Sequence, residues 1–405
     1  MSKIYSDTVL SRLKVARLSG FIDWDAQPSS FKRYPEFLFR YKYKQMSELE
    51  LIELTRIVTS RSVVGSKPYL KLNTPSAGNL HPLELYVQIR GIKGIISGIY
   101  HVDAKAEEIV LIEEINDDGL EQYVGLEYKH RGFIFLVSIV PFRSTWKYGD
   151  RSMRYCYLDA GHQVEAIQMS ATLFGKNVTI LSDYDENRLN SVMGFGNEEF
   201  ICAVLSIGTE EEKDVKPFAK GLMQVAPTDY CEAEGYFKEL LQKGQIEHSL
   251  MLTKSINVEK NEILSRRSAR SFSDRDIDSS KIIDFLLQLN SSLSFYYVLQ
   301  YSENEKTGLY LGGEMIKAGD FRDEMSALLV DQLFLKKAAM IIVITSENFD
   351  AKELMYAGSI VHQLYYLAQK EGMGFTGIGA FYDLQLQKFL NTKEYVHYVC
   401  ALGGK

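Results

Sequence analysis

RSMRYCYLDAGHQVEAIQMSATLFGKN, residues 151–177, places apolar residues at steps of three and four, the period of a helix with one face in a core. Gly175 stands where such a helix would close. The continuous apolar run FIFLVSIVPF (133–142) reads as a buried strand ahead of it, with RSTWKYGD (143–150) as the connecting loop. The same order recurs later in the chain. AAMIIVITSE (338–347) reads as a strand, and DAKELMYAGSIVHQLYYLAQKEGMG (350–374) as a helix. That helix opens on the capping pattern Asp350-x-x-Glu353 and closes at Gly372. The Ala-Gly pairs at 160–161 and 357–358, the alanines 171 and 368, and the glycines 175 and 372 are each 197 positions apart. A closing strand follows in both places, FICAVLSIG (200–208) and YVHYVCALGG (395–404).

Upstream of these elements, LNTPSAGNLHPLELYVQ (72–88) lines up with LNSSLSFYYVLQ (289–300), each after a helix and each ending in a strand. These correspondences predict an internal duplication of an α+β domain. The expected boundaries are an N-terminal helical or extended segment over 1–45, a first domain over 46–210, a linker with a helix over 211–255 and a second domain over 256–405. A chain of 405 residues fits two such cores.

Composition narrows the function. Hydrophobic residues make up 46% and charged residues 24%, an ordinary globular balance. The net charge of −7 argues against a nucleic-acid binder, which would carry a basic face. No apolar run is long enough to span a bilayer, and the N-terminal residues lack the apolar core of a secretory signal. Cys156, Cys202, Cys231 and Cys400 are widely spaced, with Cys202 and Cys400 in apolar strands. Buried free thiols and a cytoplasmic location are expected, with no metal site.

The duplication is lopsided. PSAGN (75–79) occurs only in the first half, where the second has NSSLS; SRRSARSF (265–272) precedes only the second half, where the first offers FKRYPEF (31–37). GFTGIGAF (374–381) stands opposite NVTILSDY (177–184). Each distinctive piece suits a ligand. Small residues such as Pro75, Ser76, Ala77, Gly78 and Asn79 let backbone N–H groups approach a bound molecule closely. Arg266, Arg267, Ser268 and Arg270 offer guanidinium forks fitted to phosphate or to the carbonyl edge of a heterocycle. Gly377, Ile378, Gly379 and Ala380 give backbone on which a flat ring could lie. The glycines fit neither the dinucleotide fingerprint nor a P-loop.

Taken together, RRSxRxF (266–272), PSAGNLxPxELYV (75–87), WKYGxRxxRY (146–155) with its Ala-Gly-His helix, and the Gly-rich strand resemble the nitroreductase-like flavoproteins. More narrowly they are similar to the SagB-type azoline dehydrogenases of peptide natural-product biosynthesis, here in a tandem-domain, pseudo-dimeric form. The likeness runs from about FIDWDAQPSSFKRYP (21–35) onward. It implies FMN as cofactor. Arg266, Arg267, Ser268 and Arg270 would hold the phosphate and pyrimidine edge, Gly377 to Ala380 would back the ring, and Pro75 to Asn79 would cover it. One FMN per chain is expected, in a cleft between the halves, and the pseudo-partner cleft should be closed.

The resemblance also puts a Lys-Tyr pair beside the flavin, matched by Lys147 and Tyr148. Oxidation of an azoline to an azole sends a hydride to flavin N5 and a proton to a base, with O2 as terminal acceptor. Lys147 must then be neutral, so burial or nearby cations (Arg143, Arg151, Arg154) must lower its pKa. The implied partners are a modified precursor peptide and a cyclodehydratase, with neither nucleic acid nor membrane, and a further homodimer could form. Two other readings stand beside this one: an NAD(P)H-dependent nitro or quinone reductase, and a scaffold of a peptide-modifying complex whose flavin site has decayed.

Overall fold

The computed structural model describes residues 3–17, 22–64, 67–231 and 253–405. The helix expected in the linker lies outside the described residues. The chain divides into two units: residues 23–265, and residues 1–22 with 266–405.

In residues 23–265 the sheet has the order β1 (Arg40–Lys42), β6 (Glu108–Glu114), β5 (Gly98–Asp103), β4 (Leu83–Arg90), β7 (Lys129–Ile139), β9 (Phe200–Glu211), β8 (Thr179–Leu181). Every neighbouring pair is antiparallel. β2 (Val58–Val64) and β3 (Lys67–Leu72) form a separate ribbon. Strand β4 is buried along its whole length, so its polar residues need partners in the interior. Glu84 receives Arg143 at 2.6 Å and His101 at 2.9 Å, and Arg90 meets Glu121 at 3.1 Å.

The long helix Ser152–Leu173 is buried almost all round. Its polar residues are tied inward: Gln163 to the Thr55 carbonyl (2.8 Å), Ser170 to the Leu51 carbonyl (2.7 Å) and Glu165 to the Ser255 hydroxyl (2.7 Å). Gly175 adopts φ +64° at its end, and Lys176 N–H returns to the Ala171 carbonyl at 2.8 Å, the 6→1 bond of a Schellman closure. RSTWKYGD is not a loop. Residues Phe142–Tyr148 form a helix that stops at Gly149, whose φ of +50° turns the chain into Ser152–Leu173.

In the other unit the sheet order is β12 (Glu314–Ala318), β11 (Gly308–Leu311), β10 (Ser294–Leu299), β13 (Met340–Ser346), β15 (Tyr395–Gly404), β14 (Met373–Ile378). This repeats β6-β5-β4-β7-β9-β8 strand for strand, and the helix Ala351–Lys370 occupies the place of Ser152–Leu173. Asp350 accepts from Glu353 N–H at 2.9 Å, the cap read from the sequence. Residues from the N-terminus pack on this unit. Tyr5 sits edge-on to Phe349 and Tyr395, with ring centroids 4.9 and 4.6 Å away, and Leu10 N–H donates to Asp383 at 2.9 Å. The segment 1–45 is thus shared between the two units rather than forming one piece.

Candidate functional site

The PSAGN segment links β3 to β4 as a single tight turn, Ala77–Asn79. Gly78, Asn79 and His81 all take left-handed φ values of +63°, +59° and +50°. Asn tolerates that region well, and Gly pays no steric penalty there. Ser76 Oγ accepts the His81 N–H at 3.0 Å. Asn79 Nδ2 and His81 Nε2 both reach the Leu70 carbonyl, at 2.8 and 3.0 Å. Burial and the Arg56 charge push the His81 pKa down to about 3, so the ring is neutral and donates from Nε2. The side chains of Asn79 and His81 therefore bind their own scaffold, and His81 is buried. What the turn presents outward is the backbone around Gly78, which is exposed between half-buried neighbours. The sequence suggests a soft loop; hydrogen bonds hold it firm.

Lys147 and Tyr148, at the end of the helix Phe142–Tyr148, stand against this turn. A Cβ added at Gly78 would run into the Tyr148 hydroxyl and lie 3.1 Å from Lys147 Nζ. Lys147 Nζ lies 4.5 Å from the Trp24 ring centroid and 5.0 Å from that of Tyr148. Tyr148 in turn packs edge-on to Tyr155 at 4.9 Å. Burial lowers the Lys147 pKa. The expected push from arginines is not its cause. Arg143 is buried on Glu84 at 2.6 Å and on the His81 carbonyl at 3.1 Å.

Asp159, absent from the residues expected at the site, lies beneath the turn. Its Oδ1 receives the Ala77 N–H at 3.4 Å, and the Ser76 hydroxyl bonds the same carboxyl. Asp159 is 5% exposed and its Oδ2 has no hydrogen-bond partner. Burial raises its pKa to about 7 against the opposing pull of Ser76, Ala77 and Arg56. An acidic residue on the apolar face of a helix was the visible signal.

In residues 266–405 the arginine cluster and the Gly-rich strand do meet. Ala269 N–H donates to the Phe375 carbonyl of β14 at 2.8 Å. The Tyr365 hydroxyl bridges them further: it bonds Ser268 Oγ at 2.9 Å and accepts Gly377 N–H at 2.9 Å. Arg266 is buried with its guanidinium 4.8 Å from the Tyr365 ring centroid, while Arg267 and Arg270 are exposed. Burial and the neighbouring Arg266 charge lower the Arg267 pKa. A phosphate dianion beside these two guanidiniums would relieve that mutual repulsion. This is the feature that fits a flavin phosphate. Tyr365, one of 25 tyrosines, carried no signal in the sequence.

Gly377 also has a packing reason to lack a side chain. A Cβ there would collide with the Tyr398 hydroxyl, so the missing side chain makes room for Tyr398. Gly377, Gly379 and Ala380 are half-buried and Ile378 is buried.

The counterparts of these pieces are differently employed. Lys32 of FKRYPEF is buried on Glu199 at 2.7 Å, with Tyr86 and Ser138 on the same carboxylate at 2.8 and 2.7 Å. Tyr184 of NVTILSDY is half-buried and packs against the core of its unit. Ser292 of NSSLS binds Glu353 at 2.9 Å.

Residues 40–209 match the model of the nitroreductase family. A candidate nitroreductase of Methanocaldococcus jannaschii is 27% identical over 172 residues, covering 41% of this chain and 84% of that protein. Among solved structures, a candidate nitroreductase of Anabaena variabilis is similar with a TM-score of 0.82 at 21% identity, covering 99% of this chain and 98% of that one. That likeness shows the fold over the whole chain: α+β, built on the nitroreductase plan. A chain of the Escherichia coli microcin synthetase complex McbBCD, with truncated pro-MccB17 bound, gives a TM-score of 0.34 at 15% identity over 48% of this chain and 76% of that one. No described helix is long and apolar enough to cross a membrane.

Proposed function

We propose that this chain is an FMN-dependent oxidoreductase, and more narrowly a dehydrogenase that converts azoline rings in a peptide to azoles. The observation that carries the reading is the placement of Lys147 and Tyr148 against the exposed backbone of Gly78. FMN held there would supply the hydride acceptor. Arg267 and Arg270 take the phosphate, with Arg266 and Ser268 fixed behind them by Tyr365. Pro75 to Asn79 and Gly377 to Ala380 are the segments that would offer backbone to an isoalloxazine. Lys147, made less basic by burial, removes the proton from the adjacent carbon, and Tyr148 orients the ring.

The test is Lys147→Ala. The variant should bind FMN as the unaltered protein does and lose azoline oxidation by at least about a hundredfold, within the range general bases contribute. Normal turnover by that variant removes Lys147 from the role of base.

The family match of residues 40–209 favours a second reading, a reductase of nitro compounds or quinones fed by NAD(P)H. Rapid bleaching of bound flavin by NAD(P)H alone, with no response to an azoline peptide, would establish that reading instead. The precursor peptide and a cyclodehydratase are the partners of the first reading, and a cytoplasmic setting suits both.

A further inference from the structure

The chain has two tryptophans, and they meet. Trp24 and Trp146 pack edge to face with ring centroids 5.8 Å apart, and Lys147 Nζ lies 4.5 Å from the Trp24 centroid. Trp24 is half-exposed, so its ring is not there to fill a core. The strap that carries it is fastened independently: Ser29 N–H donates to Asp229 at 2.8 Å, the Tyr230 hydroxyl to the Ala26 carbonyl, and Lys32 is buried on Glu199 at 2.7 Å. A fixed strap thus brings one aromatic face to one amine.

We propose that Trp24 is a positioning residue for Lys147: its ring face holds the ammonium beside Gly78 and strengthens the hold of the amine on its proton. The ring quadrupole attracts the charged form only, so it opposes the burial that weakens that form. The neutral amine has no such tie and is released toward the turn. The geometry stands without any assignment of activity; only its consequence for turnover rests on Lys147 being the base of the proposed reaction.

Among the described residues, Trp24, Tyr148 and Gly78 lie against this amine, and the charged groups on the adjoining segments are Asp23, Asp25, Arg143, Asp150 and Arg151. Tyr148 flanks it on its own helix, and Gly78 contributes backbone alone. Asp23 and Asp25 lie either side of Trp24, with Asp23 capping the Asp25 N–H. Arg143 is held by Glu84, and Asp150 and Arg151 follow the helix.

The test is the proton affinity of Lys147, read by competitive acetylation with limiting acetic anhydride across about pH 7 to 11 and quantified on the Lys147 peptide by mass spectrometry. Trp24→Leu should lower the apparent pKa by roughly half to one unit, a three- to tenfold loss of proton affinity, as expected for a cation–π contact at a partly exposed site. Trp24→Tyr, a milder change, should move it the same way by less. The sign decides between two roles. If Trp24 merely shields the amine from water, its removal opens the site and raises the pKa. An unchanged or raised pKa in both variants overturns the proposal. The readout needs neither FMN nor turnover, so its failure is distinct from failure of the proposed activity.

Discussion

Asp159→Asn isolates the unusual carboxyl beneath the PSAGN turn. Asparagine keeps an oxygen for the Ala77 N–H and the Ser76 hydroxyl, and removes only the titration. In the unaltered protein the folded-state pKa rises from 3.8 to about 7. A raised carboxyl pKa means that the folded state holds a proton the unfolded state would give up. Its stability is therefore complete below about pH 4 and is lost progressively as pH climbs to about 7. Every pH step of one between those two values costs about 1.4 kcal/mol, so the full loss approaches about 4 kcal/mol, of which roughly 3 kcal/mol falls between pH 5 and pH 8. The variant escapes this loss. Its stability relative to the unaltered protein should rise by roughly 3 kcal/mol over that interval, or a relative gain of about 6–12 °C in melting temperature for a domain of this size. Both tryptophans lie in the same unit as Asp159, so urea titrations followed by tryptophan fluorescence at pH 5, 6, 7 and 8 report on the relevant core. A stability difference that does not change with pH would instead place the carboxyl in contact with water or with an unrecognised cation.

Gly78→Ala puts a side chain at φ +63° and into the Tyr148 hydroxyl; it should cost about 1–2 kcal/mol of stability and weaken FMN binding at least about tenfold, with circular dichroism confirming an intact fold. Arg267→Ala removes a charge-assisted contact worth about 1.5–3 kcal/mol, so FMN affinity should fall roughly 10- to 100-fold while riboflavin, which lacks the phosphate, binds unchanged in fluorescence-quenching titrations. Tyr365→Phe unties Ser268 from Gly377; amide exchange at Gly377 should accelerate and FMN affinity drop by roughly tenfold, whereas unchanged exchange would show the bridge to be unimportant.

The duplication was legible because each strand–helix pair kept its apolar period and its closing glycine, signals set by local geometry. The tight turn around Gly78 was legible as small residues, but not its stiffness, which comes from Asn79 and His81 reaching back to Leu70. The helix Phe142–Tyr148 was not legible. Its seven residues are too short for a period to emerge, and Gly149 looked like part of a loop. Gly377 was read as room for a ring, yet its space is taken by Tyr398, 21 positions away and on the neighbouring strand. Tyr365 and Trp24 act through tertiary contacts that no spacing announces. Asp159 could have been found, since a carboxylate on a buried helix face always needs an explanation.

The residues around Gly78 and those around Arg267 are both proposed to bind flavin. Titrating the apoprotein with FMN and locating the break in fluorescence quenching tests this most directly, run alongside Gly78→Ala and Arg267→Ala. Saturable FMN binding that both variants weaken is the predicted result. Binding that either variant leaves unweakened, or no saturable binding at all, would contradict it.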